Sequence, residues 1–150
     1  MLGAPDTATR LHNDLTLIRD WDARLLVTLM ESRELRWLGL EGLGEAARGI
    51  GLEWIHMPIA DFSAPDAAFE GAWARHGSLI RGHLAGGGRL VLHCLAGLGR
   101  TGTVSARILV EFGYSPERAV REVRRARPGA IQSDAQLDYV LMQRWRDVLP

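Results

Sequence analysis

The chain has 150 residues, 47% of them apolar and 24% charged, and its 18 basic residues balance 18 acidic ones. We expect residues 1–150 to form one ordinary globular domain. A neutral total without a basic block argues against nucleic acid as the main partner. No apolar run is long enough to span a membrane, and the first residues do not resemble a signal peptide. We therefore expect a cytoplasmic monomer without a membrane partner.

The first part of the chain predicts helices and strands in alternation. Apolar residues at helical spacing predict a short amphipathic helix first, and an apolar run of strand length follows it. The predicted elements are a helix at Thr9–Ile18, a strand at Arg24–Met30, a short helix at Leu43–Arg48 within a loop that starts at Glu31, and a strand at Trp54–Ile59 with a polar loop at Ala60–Pro65.

The second part predicts one more strand and four helices. They are a helix at Asp66–Ala85, a strand at Arg89–His93 apolar enough to be central, a glycine-rich loop at Cys94–Gly99, and helices at Arg100–Phe112, Ser115–Arg127 and Asp134–Val148. Ser115 followed by Pro116 indicates a helix start, and Ser133 with Gln136 forms a capping box. The pattern predicts an α/β fold: a mostly parallel central sheet flanked by helices, with a C-terminal helical cluster.

The strongest chemical signal surrounds the only cysteine, Cys94. The predicted order here is a strand, a tight loop and a helix start. This order directs successive backbone N–H groups and the positive end of the helix dipole at one point, where they favour an anion. The same groups lower the pKa of a cysteine at the base of the loop. The loop consists of Leu95, Ala96, Gly97, Leu98 and Gly99, whose two glycines permit backbone conformations that other residues avoid.

Two residues after the loop complete this site. Arg100 carries a planar guanidinium that can bind two oxygens of a phosphoryl group at once. Thr101 can donate its hydroxyl to the sulfur. The alternative interpretation is a buried structural cysteine beside an ordinary glycine turn, but it leaves the fixed offsets of His93, Arg100 and Thr101 unexplained.

A leaving oxygen also needs a proton donor. Asp61 follows a predicted strand on a proline-flanked loop, and we expect it at the carboxyl edge of the sheet, on a strand next to that of Cys94. Asp66 is the rival, although its position at a helix start is explained more simply by capping. Both could also be ordinary loop and cap residues.

Three further features leave alternatives open. His93 either hydrogen-bonds the loop backbone and tunes the thiolate, or is a satisfied core histidine. Gln132 is a candidate for positioning a water, whereas Gln136 already has a role in the capping box. The arginines of the helix before Pro128 are either a solvated face or a patch that attracts an anionic substrate; they are Arg121, Arg124, Arg125 and Arg127.

The segment from His93 to Gly102 resembles the signature loop of the protein-tyrosine phosphatase superfamily. The loop that starts at Met57 and the segment that starts at Arg127 are similar to those of small atypical dual-specificity phosphatases, of the kinase-associated phosphatase type. The resemblance implies that Cys94 is a nucleophile that forms a phosphocysteine, that Arg100 binds the phosphoryl oxygens and that Thr101 is the hydroxyl partner of the sulfur.

The implied function is hydrolysis of phosphate monoesters of phosphoproteins, either on phosphotyrosine alone or on phosphoserine and phosphothreonine as well, two alternatives that the sequence leaves open. Asp61 would act as general acid, and neither a metal nor a cofactor is expected. The expected partner is a phosphorylated protein or a small phosphate ester. The alternatives are a phosphatase of a non-protein ester such as a phosphoinositide, a phosphate-binding pseudoenzyme, and a sulfur transferase of the rhodanese type.

Overall fold

The computed structural model of the protein describes residues 6–143, in which helices and strands alternate as predicted for an α/β fold. The elements are α1 (Thr7–Asp20), β1 (Ala23–Thr28), α2 (Ser32–Trp37), α3 (Leu43–Gly49), β2 (Glu53–His56), α4 (Ala67–Ala85), β3 (Arg89–His93), α5 (Gly99–Glu111), α6 (Pro116–Ala126) and α7 (Asp134–Leu141). The predicted end of the last helix, at Val148, lies outside the described residues. In this part of the chain, the helices lack the combination of length and apolar character that a membrane span requires.

The sheet has three parallel strands in the order β2-β1-β3. The prediction that the strand before the glycine-rich loop is central was wrong, because β1 takes that place and β3 lies at an edge. Burial reflects this order: five of the six residues of β1 are buried, whereas those of β3 are partly or fully exposed. The prediction that Asp61 and Cys94 follow neighbouring strands was also wrong, since β1 separates β2 from β3.

Two local predictions between Glu31 and Ile59 need correction. Part of the expected loop is helix α2, whose six residues are too few for apolar periodicity to show, and which begins with a capping box between Glu31 and Glu34. The predicted strand at Trp54–Ile59 ends at His56. Pro58 has no N–H to continue the ladder, although the N–H groups of Met57 and Ile59 still donate to carbonyls at the end of β1.

Helix α5 lies between two hydrophobic cores. Its residues Val104 and Ile108 belong to the core that covers the sheet, together with residues of α1, α3 and α4. Ala106 and Val110 belong to a second core that α5 forms with α6, α7 and the loop between them. Because both faces of α5 are covered, the helix that follows the glycine-rich loop is fixed from two sides.

A buried arginine joins α5 to two other helices. Arg107 donates to the carboxylate of Glu70 on α4 at 2.5 Å and to that of Glu111 at 3.1 Å, and it also bonds the hydroxyl of Tyr139 on α7. Its guanidinium lies 4.7 Å from the ring centre of Trp73. A buried charge is tolerated only with such partners, so this cluster fixes how α4, α5 and α7 pack together.

We expect Arg107→Ala to lower the free energy of unfolding by about 3 kcal/mol, because it leaves carboxylates without their buried partner. Arg125→Ala is the matched control: Arg125 also pairs with a glutamate on a helix, but its side chain is 82% exposed. Its effect should stay within about 0.5 kcal/mol. Urea unfolding of both variants measures the difference, and equal effects would contradict a structural role for the cluster.

Candidate active site

Cys94 lies directly after β3, at the start of the glycine-rich loop that leads into α5. Its side chain is buried, and its Sγ accepts a hydrogen bond from the Thr101 hydroxyl at 3.1 Å. Gly97 has a φ of 68°, in the left-handed region that favours glycine, so the loop can turn there and direct its N–H groups inward. The predicted strand, loop and helix thus form one continuous cradle around the sulfur.

This cradle favours the thiolate form of Cys94. Burial alone would raise the pKa of the thiol, but hydrogen bonds from the Thr101 hydroxyl and from the backbone N–H groups of Thr101, Gly97 and Leu98 outweigh it. The pKa of Cys94 is therefore lower than that of an ordinary cysteine. A larger share of the sulfur is consequently nucleophilic at neutral pH.

Arg100 is the second residue of α5 and is almost fully buried, with 1% of its surface exposed. Its two terminal nitrogens donate to the two carboxylate oxygens of Glu34, at 2.6 and 2.8 Å, and Nη1 also donates to the carbonyl of Ile59 at 3.0 Å. The carboxylate of Asp61 lies 3.3 Å from Nη2. The guanidinium is thus oriented by α2 and by the segment that follows β2.

The remaining nitrogen of this guanidinium has no partner. Among the described residues, Arg100 Nε is the one buried side-chain nitrogen or oxygen atom without a hydrogen-bond partner. A buried donor without an acceptor carries a desolvation penalty of about 1–3 kcal/mol. An anion bound beside Nε would remove that penalty by accepting its hydrogen bond.

Asp61 and Asp66 occupy different positions in the loop after β2. Asp61 is about half exposed, and one of its carboxylate oxygens accepts from the N–H of Phe62 while also lying near Arg100. Asp66 is the N-cap of α4, and its side chain accepts from the N–H of Phe69 at 2.9 Å. Asp61 is therefore next to the guanidinium, and Asp66 caps a helix.

His93 connects the core of the sheet to the start of the loop. Trp54 Nε1 donates to the Thr28 hydroxyl at 2.8 Å, and that hydroxyl lies 2.7 Å from His93 Nε2. Burial lowers the pKa of His93, although a hydrogen bond with the backbone of Cys94 opposes the shift. The ring is thus a core histidine with a hydrogen-bond partner, at the position directly before Cys94.

The loop between α6 and α7 packs against the glycine-rich loop. The N–H of Ile131 donates to the carbonyl of Leu98, and a side chain at Gly99 would come within 2.6 Å of the Gln132 side-chain oxygen. Gly99 is therefore required for close approach rather than for an unusual backbone angle, which corrects the sequence prediction for this glycine. Gln132 lies beside the helix start, and buried Gln136 binds the carbonyl of Ser63.

The arginines of α6 do not form a uniform patch. Arg124 donates to the carbonyls of Ala130 and Ile131 and so holds the α6–α7 loop, while Arg125 pairs with Glu122. Arg127 lies beside the carbonyl of Ala96, in the glycine-rich loop, at 3.4 Å. Among residues 6–143, no three His, Cys, Asp or Glu side chains form a group that could hold a metal ion.

Glu34 is the residue of this site that the sequence did not reveal. Its hydrogen bonds with Arg100 join positions far apart in the chain. These bonds hold the pKa of Glu34 below its usual range, although partial burial acts to raise that pKa. The one available signal was local: Glu31 and Glu34 have the spacing of a capping box. That spacing predicts a helix start but not a contact with Arg100.

Comparisons with known proteins agree on one family. The family model described as "Tc-R-P: Polymorphic toxin system, DSP-PTPase phosphatase" matches residues 2–114. Human protein tyrosine phosphatase type IVA 3 is 34% identical over 92 residues, which are 60% of this chain and 51% of that protein. The chain thus aligns with about half the length of this curated relative.

Solved structures show a similar fold. A kinase-associated phosphatase, with its catalytic-site cysteine replaced by serine, superimposes with a TM-score of 0.77 and 25% identity, over 86% of this chain and 72% of that one. Tk-PTP in its active form gives a TM-score of 0.71 and 29% identity, over 91% of this chain and 84% of that one.

We expect Thr101→Ala to raise the pKa of Cys94, because it removes a hydrogen bond that stabilises the thiolate. The pH dependence of iodoacetamide alkylation measures this pKa, since only the thiolate reacts. The curve should move to higher pH than in the wild type. Thr16→Ala is the control, because the Thr16 hydroxyl bonds only within α1. A curve that coincides with that of the control would contradict the role of Thr101.

Proposed function

Because the chain belongs to the DSP-PTPase phosphatase family of polymorphic toxin systems, we propose that it hydrolyses phosphate monoesters of phosphoproteins through a phosphocysteine intermediate. It is a small dual-specificity phosphatase of the protein-tyrosine phosphatase superfamily, and the resemblance predicted from the sequence is confirmed. One observation carries the proposal: a thiol of lowered pKa lies in a loop of backbone N–H groups, and the arginine six residues after it carries a buried N–H without a partner.

In the first step of the proposed reaction, the Cys94 thiolate attacks phosphorus in line with the leaving oxygen. Arg100 and the N–H groups of Leu95, Ala96, Gly97, Leu98 and Gly99 hold the other phosphoryl oxygens, whose charge they offset throughout the transfer. The sulfur–phosphorus bond forms as the oxygen–phosphorus bond breaks. Asp61, in its protonated form, donates a proton to the leaving oxygen.

In the second step, Asp61 is a carboxylate and accepts a proton from water as the water attacks phosphorus. The sulfur–phosphorus bond then breaks, and the Thr101 hydroxyl stabilises the departing thiolate at the distance of 3.1 Å seen in the structure. Gln132, which lies against Gly99, is suited to orient that water. His93 supports the loop backbone and does not touch the phosphoryl group in this scheme.

The proposal favours phosphoproteins over highly charged head groups. Every side chain of the loop between Cys94 and Arg100 is uncharged, so the cradle itself offers no extra cation for additional phosphates. A phosphoinositide phosphatase is the alternative within the same chemistry, and a phosphate-binding protein without turnover is the alternative outside it. Phosphatase assays with phosphopeptides and with phosphoinositide vesicles distinguish a phosphoprotein substrate from a phosphoinositide substrate.

We expect the wild type to hydrolyse p-nitrophenyl phosphate in EDTA, and Cys94→Ser to abolish that activity. Asp61→Ala should lower kcat by about 10²–10⁴-fold, the usual contribution of a general acid, and should remove the decline in rate at high pH. Asp66→Asn is the matched control, because asparagine also caps helices well. Phosphate binding without turnover by the wild type would favour the pseudoenzyme, and equal losses in both aspartate variants would contradict the role of Asp61.

We expect Glu34→Gln to weaken inhibition by inorganic phosphate by about tenfold. A neutral amide cannot accept hydrogen bonds from both terminal nitrogens of Arg100, as the two oxygens of the carboxylate do. Competitive inhibition of p-nitrophenyl phosphate hydrolysis measures the effect. Glu45→Gln, at an exposed position of α3, is the control and should leave the inhibition constant unchanged. An unchanged constant in Glu34→Gln would contradict its positioning of Arg100.

A further inference from the structure

A histidine outside the proposed catalytic groups contacts the segment that leads into α2. His56 is the last residue of β2, and its Nε2 lies 2.7 Å from the backbone carbonyl oxygen of Met30. A carbonyl oxygen can only accept a hydrogen bond, so Nε2 carries the proton and donates it. Because Met30 is buried, with 2% of its surface exposed, this carbonyl depends on a donor from the protein.

The peptide group that accepts from His56 also holds Glu34. The carbonyl of Met30 and the N–H of Glu31 belong to one peptide group, and this N–H donates to Oε2 of Glu34 at 2.8 Å. The same Oε2 accepts from Nη1 of Arg100 at 2.6 Å. A continuous chain of three hydrogen bonds therefore runs from the imidazole of His56 through this peptide group to the guanidinium of Arg100.

This chain couples the position of the imidazole to that of the carboxylate. A peptide group is planar, so a bond that fixes the direction of its carbonyl also fixes the direction in which its N–H points. Hydrogen bonds in a chain polarise one another, so a donor at the carbonyl makes the N–H a better donor to the carboxylate. His56 thus contributes both to where Oε2 of Glu34 lies and to how firmly it is held.

The ring of His56 is itself held in place by the sheet. It stacks on the indole of Trp54, with 5.1 Å between the ring centres and 21° between the ring planes. The indole N–H donates to the hydroxyl of buried Thr28 at 2.8 Å, which anchors the indole to the central strand β1. The imidazole is therefore a donor of fixed orientation.

We propose that His56 is a positioning residue that orients Arg100 for binding phosphate. It acts through the Met30–Glu31 peptide group and Glu34, and it does not itself contact the phosphoryl group. The inference rests on the proposed function, since it requires that Arg100 binds the phosphoryl oxygens. A guanidinium binds two such oxygens only in one relative orientation, so its affinity for phosphate falls when its own support loosens.

The test measures the dissociation constant of inorganic phosphate by isothermal titration calorimetry, which requires no turnover. His56→Phe keeps an aromatic ring against Trp54 but lacks the donor. We expect it to weaken binding by about fivefold, the usual effect of losing one neutral hydrogen bond. His56→Gln should bind phosphate as the wild type does, because its side-chain amide places an N–H donor near the position of Nε2.

His83 provides a matched control within the same chain. Its Nε2 lies 2.9 Å from the backbone carbonyl oxygen of Arg89, the first residue of β3. This contact is at the amino end of the strand, whereas the glycine-rich loop follows the carboxyl end. His83→Phe therefore removes the same kind of hydrogen bond away from Arg100, and it should leave the dissociation constant of phosphate unchanged.

A double-mutant cycle distinguishes positioning from a general loss of structure. If His56 acts through Glu34, His56→Phe should weaken phosphate binding less in the Glu34→Gln background than in the wild type. Equal effects in both backgrounds would overturn the proposal. If urea unfolding shows that His56→Phe does not fold, His56→Asn replaces it in every comparison, since its amide is too short to reach the carbonyl of Met30.

The outcomes also separate this inference from the proposed function. Phosphate binding that His56→Phe leaves unchanged would overturn the role of His56, whatever the rate of hydrolysis. A wild type that binds phosphate but does not hydrolyse p-nitrophenyl phosphate would overturn the proposed function alone, and the variants would still decide the role of His56. A wild type that does not bind phosphate would overturn both. Weaker binding in His56→Phe that His56→Gln restores, with no change in His83→Phe, supports His56 as the positioning residue.

Discussion

The buried pair between Arg100 and Glu34 is the interaction on which the geometry of the site depends. A guanidinium with 1% exposure is stable only if most of its N–H groups have acceptors, and Glu34 and Ile59 supply three of them. These acceptors come from α2 and from the segment after β2, while Arg100 itself is on α5. One charge therefore fixes three separate parts of the chain around a single point.

The rest of the fold keeps that point in place. Helix α5 is covered by the sheet core on one face and by the C-terminal helices on the other, so the N–H groups at its start have little freedom to move. The α6–α7 loop contacts the other side of the glycine-rich loop through Ile131 and Gln132. A site that relies on preorganised N–H groups gains from such rigid support, because little reorganisation is then needed when charge moves.

The sequence predicted the features that depend on neighbouring residues. Cys94, Arg100 and Thr101 lie at fixed offsets in one strand–loop–helix unit, and Asp66, Ser115 and Ser133 cap helices where their spacing indicated. Features that depend on distant contacts were missed or misplaced. Apolar content cannot tell a central strand from an edge strand, so β3 was predicted in the place of β1, and nothing near Glu34 indicates that it binds Arg100.

The contact between Ile131 and Leu98 has a consequence for how this chain can be divided. The match to the family model ends at residue 114, yet most of the second core and the support of the glycine-rich loop come from residues beyond it. The stretch that the family model matches is therefore shorter than the set of helices that packs around the catalytic geometry. An excised segment that stopped at that boundary would keep Cys94, Arg100 and Asp61 but leave one side of α5 uncovered. The residues of the motif and the contacts that hold them rigid therefore lie in different parts of the chain.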